Sequence, residues 1–333
     1  MLTKPTIDDT TIVACLRDAY RLDAAALAFL PLGADRDTAV YRAETDAGVM
    51  FVKLRSGPFD DLPVRVPWLL RQRGIAPVIA PLATRTGALW TRLDGFTLTV
   101  FPFVTGRDGS EAPLSENHWR TLGRALRALH ALELPADLAG RIRRETYSGA
   151  WRERVRGFLA LAAERSFADP VSADLAALLQ RERPAIEALV RRADALAATL
   201  AVRALPLVLC HADIHAWNVL IDPDDTLYIV DWDTVTLAPK ERDLMFPGGG
   251  LFGGWRSPHE EEALFYAGYG PAAVDRDALA YYRCERVVQD IAEFCAQILH
   301  AEPGDPDRAN SLRLLSGQFR PGQVVEIALR TGL

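Results

Sequence analysis

Hydrophobic and polar positions in this chain follow two rhythms, a strand-like one early and a helical one later. Ile12, Val13, Leu16 and Tyr20 recur at helical spacing and predict a short opening helix within residues 7–20. FLPLGADRDTAVYRAET and GVMFVKLRS then read as consecutive strands rich in β-branched and aromatic residues, with turns at Gly33 and at 46–48. Two more strands are expected at about 87–93 and 96–104, the second carrying FTLTVFPFV. From Leu114 the period changes. Ser115 can cap a helix with Trp119, Leu122, Leu126 and Leu129 on one face and Arg120, Arg124 and Arg127 on the other. Residues 172–201 form an Ala/Leu/Arg helical stretch, YYRCERVVQDIAEFCAQIL predicts another helix, and a short one falls near 322–330. Between these helices, an apolar run ends at His211 and a second, LYIV, ends just before Asp231, with the turn-rich DPDD between them. Two short strands joined by a polar turn would put Asp213, Asn218 and Asp231 at one end of a sheet.

Composition narrows the class. At 333 residues the chain suggests one large domain or two lobes sharing a cleft. Hydrophobic residues at 49% and charged ones at 25% are ordinary for a globular enzyme. A net charge of −6 and a pI near 5.6 offer no basic excess for nucleic acid and suit a cationic substrate. Cys15, Cys210, Cys284 and Cys295 show no CxxC spacing and read as reduced core thiols. MLTKPTIDDTT has no apolar signal region and no stretch reads as a membrane span, so a cytoplasmic location is expected. Residues 141–156, with six arginines and two glutamates, read as a solvated face.

Asp213, Asn218 and Asp231 together are what phosphoryl transfer from a nucleotide needs. One carboxylate orients the attacking hydroxyl, while an amide oxygen and a second carboxylate hold Mg²⁺ against the phosphates. Upstream, Lys53 is a cation inside the apolar strand FVKL, placed to pair with the α- and β-phosphates or simply to face solvent. Gly33 to Thr38 could cover the phosphates through backbone N–H groups and the Thr38 hydroxyl; read alone it is a hairpin turn. A metal-hydrolase reading of the alternating His211, Asp213 and His215 lacks the several histidines of a recognisable zinc pattern. His130 is expected to be structural, and His211 to brace the loop.

The pattern H-x-D-x-x-x-x-N followed by an apolar strand ending in Asp resembles the catalytic core of the aminoglycoside phosphotransferases, relatives of the protein kinases. GAD-x-x-T near Gly33, FVKL at 51–54, WRERVR at 151–156, LAPKERDLMF at 237–246 followed by GGG, and YYRCERVVQDIA at 281–292 resemble the spectinomycin phosphotransferases within that family. The resemblance implies a bilobal, kinase-like α+β fold. An antiparallel sheet lobe would span residues 1–101, a hinge 102–104, and a mostly helical lobe 105–333. It implies ATP and Mg²⁺ as cofactors and an aminocyclitol, above all spectinomycin, as the alcohol phosphorylated, with antibiotic resistance as the consequence. Asp213 would be catalytic and Asn218 and Asp231 would hold the metal. Lys53, Gly33, Thr38, Phe101, Phe103 and Val104 would bind the nucleotide, the last three at the hinge around adenine. A kinase for another small alcohol or a non-catalytic nucleotide-binding protein are the alternatives.

Several positions depart from the pattern or stay open. In kinases a helix glutamate orients the lysine, yet SGPFDDLPVRVPWLLRQRG has no Glu, so Asp60 or Asp61 must serve or the pair is absent. Trp217 stands where a small residue is usual. Asp233 follows Asp231 where a protein kinase has glycine, and could meet metal, substrate amine or solvent. Asp243, twelve positions after Asp231, leaves no room for a peptide-docking segment and is expected to brace the catalytic loop. Arg283, Arg286 and Asp290, within one or two turns of one another, could form an internal salt-bridge network or part of the acceptor wall, with an ordinary helix surface the expectation.

Overall fold

The computed structural model describes residues 4–31, 37–302 and 304–332. The chain divides into two compact units, Met1–Ala112 with Pro135–Ile142 and Trp217–Val235, and Pro113–Leu134 with Arg143–Ala216 and Thr236–Leu333. The lobes expected from the sequence are each continuous; these units are not, because 217–235 joins the N-terminal strands.

In the first unit, helix α1 (Asp9–Tyr20) precedes strands β1 (Ala24–Leu30), β2 (Thr38–Thr45), β3 (Gly48–Ser56), β4 (Thr91–Leu93) and β5 (Phe96–Pro102). They form an antiparallel sheet in the order β1-β2-β3-β5-β4. Side chains alternate between the two faces of a strand. Ala39, Tyr41, Val52, Leu54, Leu98 and Val100 therefore turn one way and pack with Ile12, Leu16 and Tyr20 of α1. The Tyr20 hydroxyl donates to the Leu98 carbonyl at 3.2 Å, tying helix to sheet. The opposite parity carries Val40, Lys53 and Thr99, cross-strand neighbours on β2, β3 and β5. Helix α2 (Leu62–Gln72) has Pro at its start, where the missing N–H costs nothing, and continues through Pro67.

The second unit is mostly helical. Helices Ala150–Glu164, Pro170–Arg181 and Arg183–Ala201 pack with the long helix Arg276–His300 around Val155, Leu159, Leu189, Val288 and Ile291. Helix α3 (Glu116–His130) begins at Ser115, whose side chain accepts from the His118 N–H at 3.2 Å. It packs against helix Pro258–Tyr269 with Gly123 and Gly268 at the crossing. A Cβ at Gly123 would run into the Phe265 carbonyl, and one at Gly268 into the Arg120 backbone, so glycine permits this approach. Among the described residues no helix is long and apolar enough to cross a membrane.

Candidate active site

The face of the first unit's sheet turned away from α1 lines a cavity of about 610 Å³. Thr38 and Val40, then Phe51, Lys53 and Arg55, then Thr97, Thr99 and Phe101 reach it from three neighbouring strands. Period two explains the set: residues that share a face share the cavity. Pro102, Phe103 and Val104 continue its wall from the end of β5, and Phe103 lies 6.3 Å from Phe51, ring to ring. The Phe103 N–H is spent on the Val49 carbonyl at 3.0 Å. Gly33 lies outside the described residues.

Asn218 and Asp231 line the same cavity, together with Trp217, Trp232 and Asp233. Strands Val219–Ile221 and Leu227–Ile229 pair in register, and the Val230 N–H donates to the Asn218 carbonyl at 3.0 Å. Asn218 and Asp231 therefore stand side by side at one end of a hairpin. Asp222 closes its other end by accepting from the Asp224 and Thr226 N–H groups at 3.0 and 2.8 Å. The pairing differs from the one expected. LVLC pairs not with LYIV but with Thr236–Ala238, because VLI directly before DPDD closes the shorter loop on LYI. Asp231 holds a left-handed backbone, φ 62 and ψ 71, an unusual conformation for a non-glycine residue and one that redirects the chain after the strand.

Lys53 Nζ lies 3.3 Å from Asp233 Oδ2. Neither Asp60 nor Asp61 serves it. Asp61 is held by Arg141 at 2.5 Å, and Asp60 accepts from the Leu62 N–H at 3.1 Å. The short aspartates sit at the very start of α2, where backbone and arginine donors take them first.

Asp213 belongs to the second unit. Its Oδ1 is ion-paired with Arg286 and its Oδ2 lies 3.4 Å from His215 Nε2. Burial by itself would push this carboxyl up, but the hydrogen bond from His215 and the charge of Arg286 outweigh it and hold it well below the usual range. Arg286 is also ion-paired with Asp290 at 2.9 Å and lies over the Phe246 ring. Its side chain is only 14% exposed, so of the readings open in the sequence Arg286 and Asp290 take the internal salt-bridge network and not the ordinary helix surface. The (i, i+4) spacing of Arg286 and Asp290 was the available signal. Burial raises the Asp290 carboxyl although Arg286 opposes it.

The loop before Asp213 is braced as expected. Asp243, fully buried, accepts from the His211 N–H at 3.0 Å and the Ala212 N–H at 2.7 Å. Burial would raise its carboxyl, but the hydrogen bond from His130 and the imidazole charges keep it low. His130 links Asp243 to Tyr269: its Nε2 lies 3.0 Å from Asp243 Oδ2 and its Nδ1 2.8 Å from the Tyr269 hydroxyl. Ala212 carries φ 71, a strained value for alanine that the Asp243 bond holds in place. The Asp213 N–H in turn donates to His211 Nδ1 at 3.3 Å. Among the described residues His130, Cys210 and Asp243 also come close enough to share a metal ion. The bonds just described already engage the His130 and Asp243 atoms, which makes this a structural cluster. The His211, Asp213 and His215 set of the hydrolase reading does not form such a group among the described residues.

Comparison with known proteins fits this geometry. The model of the phosphotransferase enzyme family matches residues 28–282. The chain belongs to that family. It is similar to spectinomycin phosphotransferase APH(9)-Ia, whose crystal structure in complex with ADP and spectinomycin superposes with a TM-score of 0.91. The two are 35% identical, over 99% of this chain and 100% of that one. Protein StrN of Streptomyces griseus is 26% identical over 313 residues, covering 84% of this chain and 82% of StrN. An aminoglycoside phosphotransferase from Alicyclobacillus acidocaldarius, at 14% identity and a TM-score of 0.63 over 98% of this chain and 96% of that one, shares the fold alone. This family member is a phosphotransferase with an alcohol group as acceptor, and its fold class is the kinase-like α+β one expected.

One functional candidate was missed in the sequence, Arg55. Arg55 follows Lys53 by two residues on the same strand, and period two alone would have placed both on one face.

Proposed function

We propose that the protein transfers the γ-phosphoryl group of ATP to a hydroxyl of an aminocyclitol, spectinomycin being the first acceptor to test. The observation that carries this reading is the gathering of Lys53, Asn218 and Asp231 with the aromatic wall Phe101 to Val104 in one cavity. Similarity to an enzyme crystallised with ADP and spectinomycin supports the choice of nucleotide and acceptor. Lys53, with Arg55 beside it, would meet the phosphates, and the buried Thr38 hydroxyl would donate to them. Among the described residues the Val104 N–H has no backbone partner, whereas Pro102 has no N–H and that of Phe103 is taken. Val104 is thus the donor for the adenine edge, and Phe101 and Phe103 supply apolar surface for the ring.

The Asn218 amide oxygen and the Asp231 carboxylate are hard oxygen donors of the kind Mg²⁺ takes. Bound there, Mg²⁺ would neutralise charge on the phosphate oxygens. Asp213 would orient the acceptor hydroxyl and take its proton late, with His215 and Arg286 fixing the carboxylate. Phosphorylation adds negative charge to the drug and would confer resistance.

The test is ADP release with Mg-ATP and spectinomycin, with the product weighed by mass spectrometry. Acceptor-dependent turnover and one added phosphoryl group are expected. Asp213→Ala should lower turnover by roughly 10²–10⁴-fold while ADP affinity stays near the wild-type value. Wild-type turnover in that variant would sink the assignment of Asp213. Silence with spectinomycin but turnover with another alcohol would keep the chemistry and move the acceptor, with Trp217, 56% exposed, the first side chain to change.

A further inference from the structure

The helix that follows the lysine strand has no acid to offer. The sequence of α2 is LPVRVPWLLRQ, and the side chains it turns into the cavity beside Lys53 are those of Pro63 and Val64. In kinases the matching helix supplies the glutamate that orients the lysine. Here α2 packs against the turn Trp232–Thr234, and that turn carries the carboxylate that meets Lys53, Asp233 Oδ2 at 3.3 Å. Asp61 and Asp60 are engaged elsewhere. Resting on the proposed function, we infer that Asp233 is the positioning residue for Lys53, a carboxylate moved from the helix to the turn that follows the metal-holding Asp231.

The physical case has three parts. Lys53 projects from the centre of a strand paired on both sides, so its backbone is fixed and only its long stem needs orienting. Asp233 sits on a short turn stiffened by the Trp232 indole, which is buried and donates to the Ile229 carbonyl at 3.2 Å. The pair is about one-third exposed, 30% for Lys53 and 35% for Asp233, so it directs the ammonium without contributing much to stability. Asp231 and Asp233 then divide two tasks within three residues, one toward metal and one toward the lysine.

The test uses the full chain, with ADP affinity by calorimetry, at low and high Mg²⁺, beside kcat and KM for ATP. Asp233→Asn should lower kcat by about tenfold or more, since a misdirected lysine no longer meets the phosphates in the reactive geometry, while ADP affinity moves less than about threefold. Asp233→Glu should keep most of the rate. A carboxylate returned to the helix, Pro63→Glu in the Asp233→Asn background, should recover at least part of it. Wild-type kcat in Asp233→Asn would overturn the inference, as would a defect repaired by excess Mg²⁺, which would make Asp233 a metal ligand. Tighter ADP binding with faster turnover would also overturn it, because Asp233 would then be a mere occupant of the phosphate site. A wild-type protein that binds no ADP overturns the functional reading and this inference with it.

Discussion

Replacing Arg286 by methionine tests how the second unit holds Asp213. The side chain keeps its length and apolar stem, and the guanidinium disappears from between two carboxylates. Asp213 is 21% exposed and Asp290 9%, so water cannot replace the lost partner. Removing one member of a buried ion pair costs roughly 3–5 kcal/mol, a factor of about 10²–10⁴ in the folded-to-unfolded ratio. The groups facing the site are Asp213, Asp290, Glu293 and His215. Without Arg286, burial is left with little opposition at Asp290, whose carboxyl rises further above its unfolded value, while Asp213 keeps the hydrogen bond from His215 but loses the charge that helped hold it low. An acid raised in this way loses stability as pH rises through its unfolded value near 4 and up to its folded one. The deficit should therefore be largest near pH 8 and shrink toward pH 5. Urea unfolding of wild type and Arg286→Met at both pH values measures it. In the same variant, kcat/KM for the acceptor should fall about 100-fold from the misplaced carboxylate, with ADP affinity unchanged. A deficit under about 1 kcal/mol at pH 8, or one that grows toward pH 5, would refute the picture of a buried, arginine-held carboxylate.

Two other perturbations follow from the same network. Asp243→Ala leaves the buried His211 and Ala212 N–H groups and His130 without their acceptor, which should cost roughly 2–6 kcal/mol in urea unfolding and depress turnover; a loss under about 1 kcal/mol would contradict the bracing role. Glu261 is raised by burial from 4.5 to about 7, against the opposing Gly248 N–H bond, so wild type should lose on the order of 3 kcal/mol as pH rises from about 4.5 to 7. Glu261→Gln keeps an acceptor for Gly248 and should flatten that slope; an unchanged pH profile would show that Glu261 is already ionised.

Much of the cavity was legible because it depends on local rules. Alternation within β3 and β5 places Lys53 and Phe101 on a shared face, and the DPDD turn sets Asn218 beside Asp231. The fold class followed from the change of period at Leu114 and from the family resemblance. What could not be read were long-range choices among equivalent partners. Three aspartates, Asp60, Asp61 and Asp233, were chemically able to meet Lys53. The choice fell to Asp233, 180 residues away, because Arg141 and the Leu62 N–H claim the nearer two. For Arg286 the internal ion pair was weighed, and the surface preferred, for a related reason. A charged residue on an amphipathic helix defaults to solvent, and only a partner from the distant loop at Asp213 reverses that default. The strand pairing of LVLC failed similarly, since two short apolar runs on either side of a turn leave the register to loop length.

The two acid–cation pairs near the proposed chemistry are built for different work. Both Asp213 oxygens are engaged, one by Arg286 and one by His215, within a cluster anchored to Asp290. Those partners lower its affinity for a proton, the reverse of what a strong general base requires. The arrangement makes sense if the carboxylate serves mainly to direct a hydroxyl. In a loose phosphoryl-transfer transition state the nucleophile needs little deprotonation before the bond to phosphorus develops, so position matters more than basicity. Lys53 and Asp233 are about one-third exposed and meet at 3.3 Å, a contact loose enough to stretch when phosphate oxygens arrive. On the proposed function, a rigid acid would serve the acceptor and a yielding pair the donor, a difference set by burial. The buried charge cannot give up its partners without a large penalty, whereas the one-third-exposed pair can exchange them for phosphate at little cost.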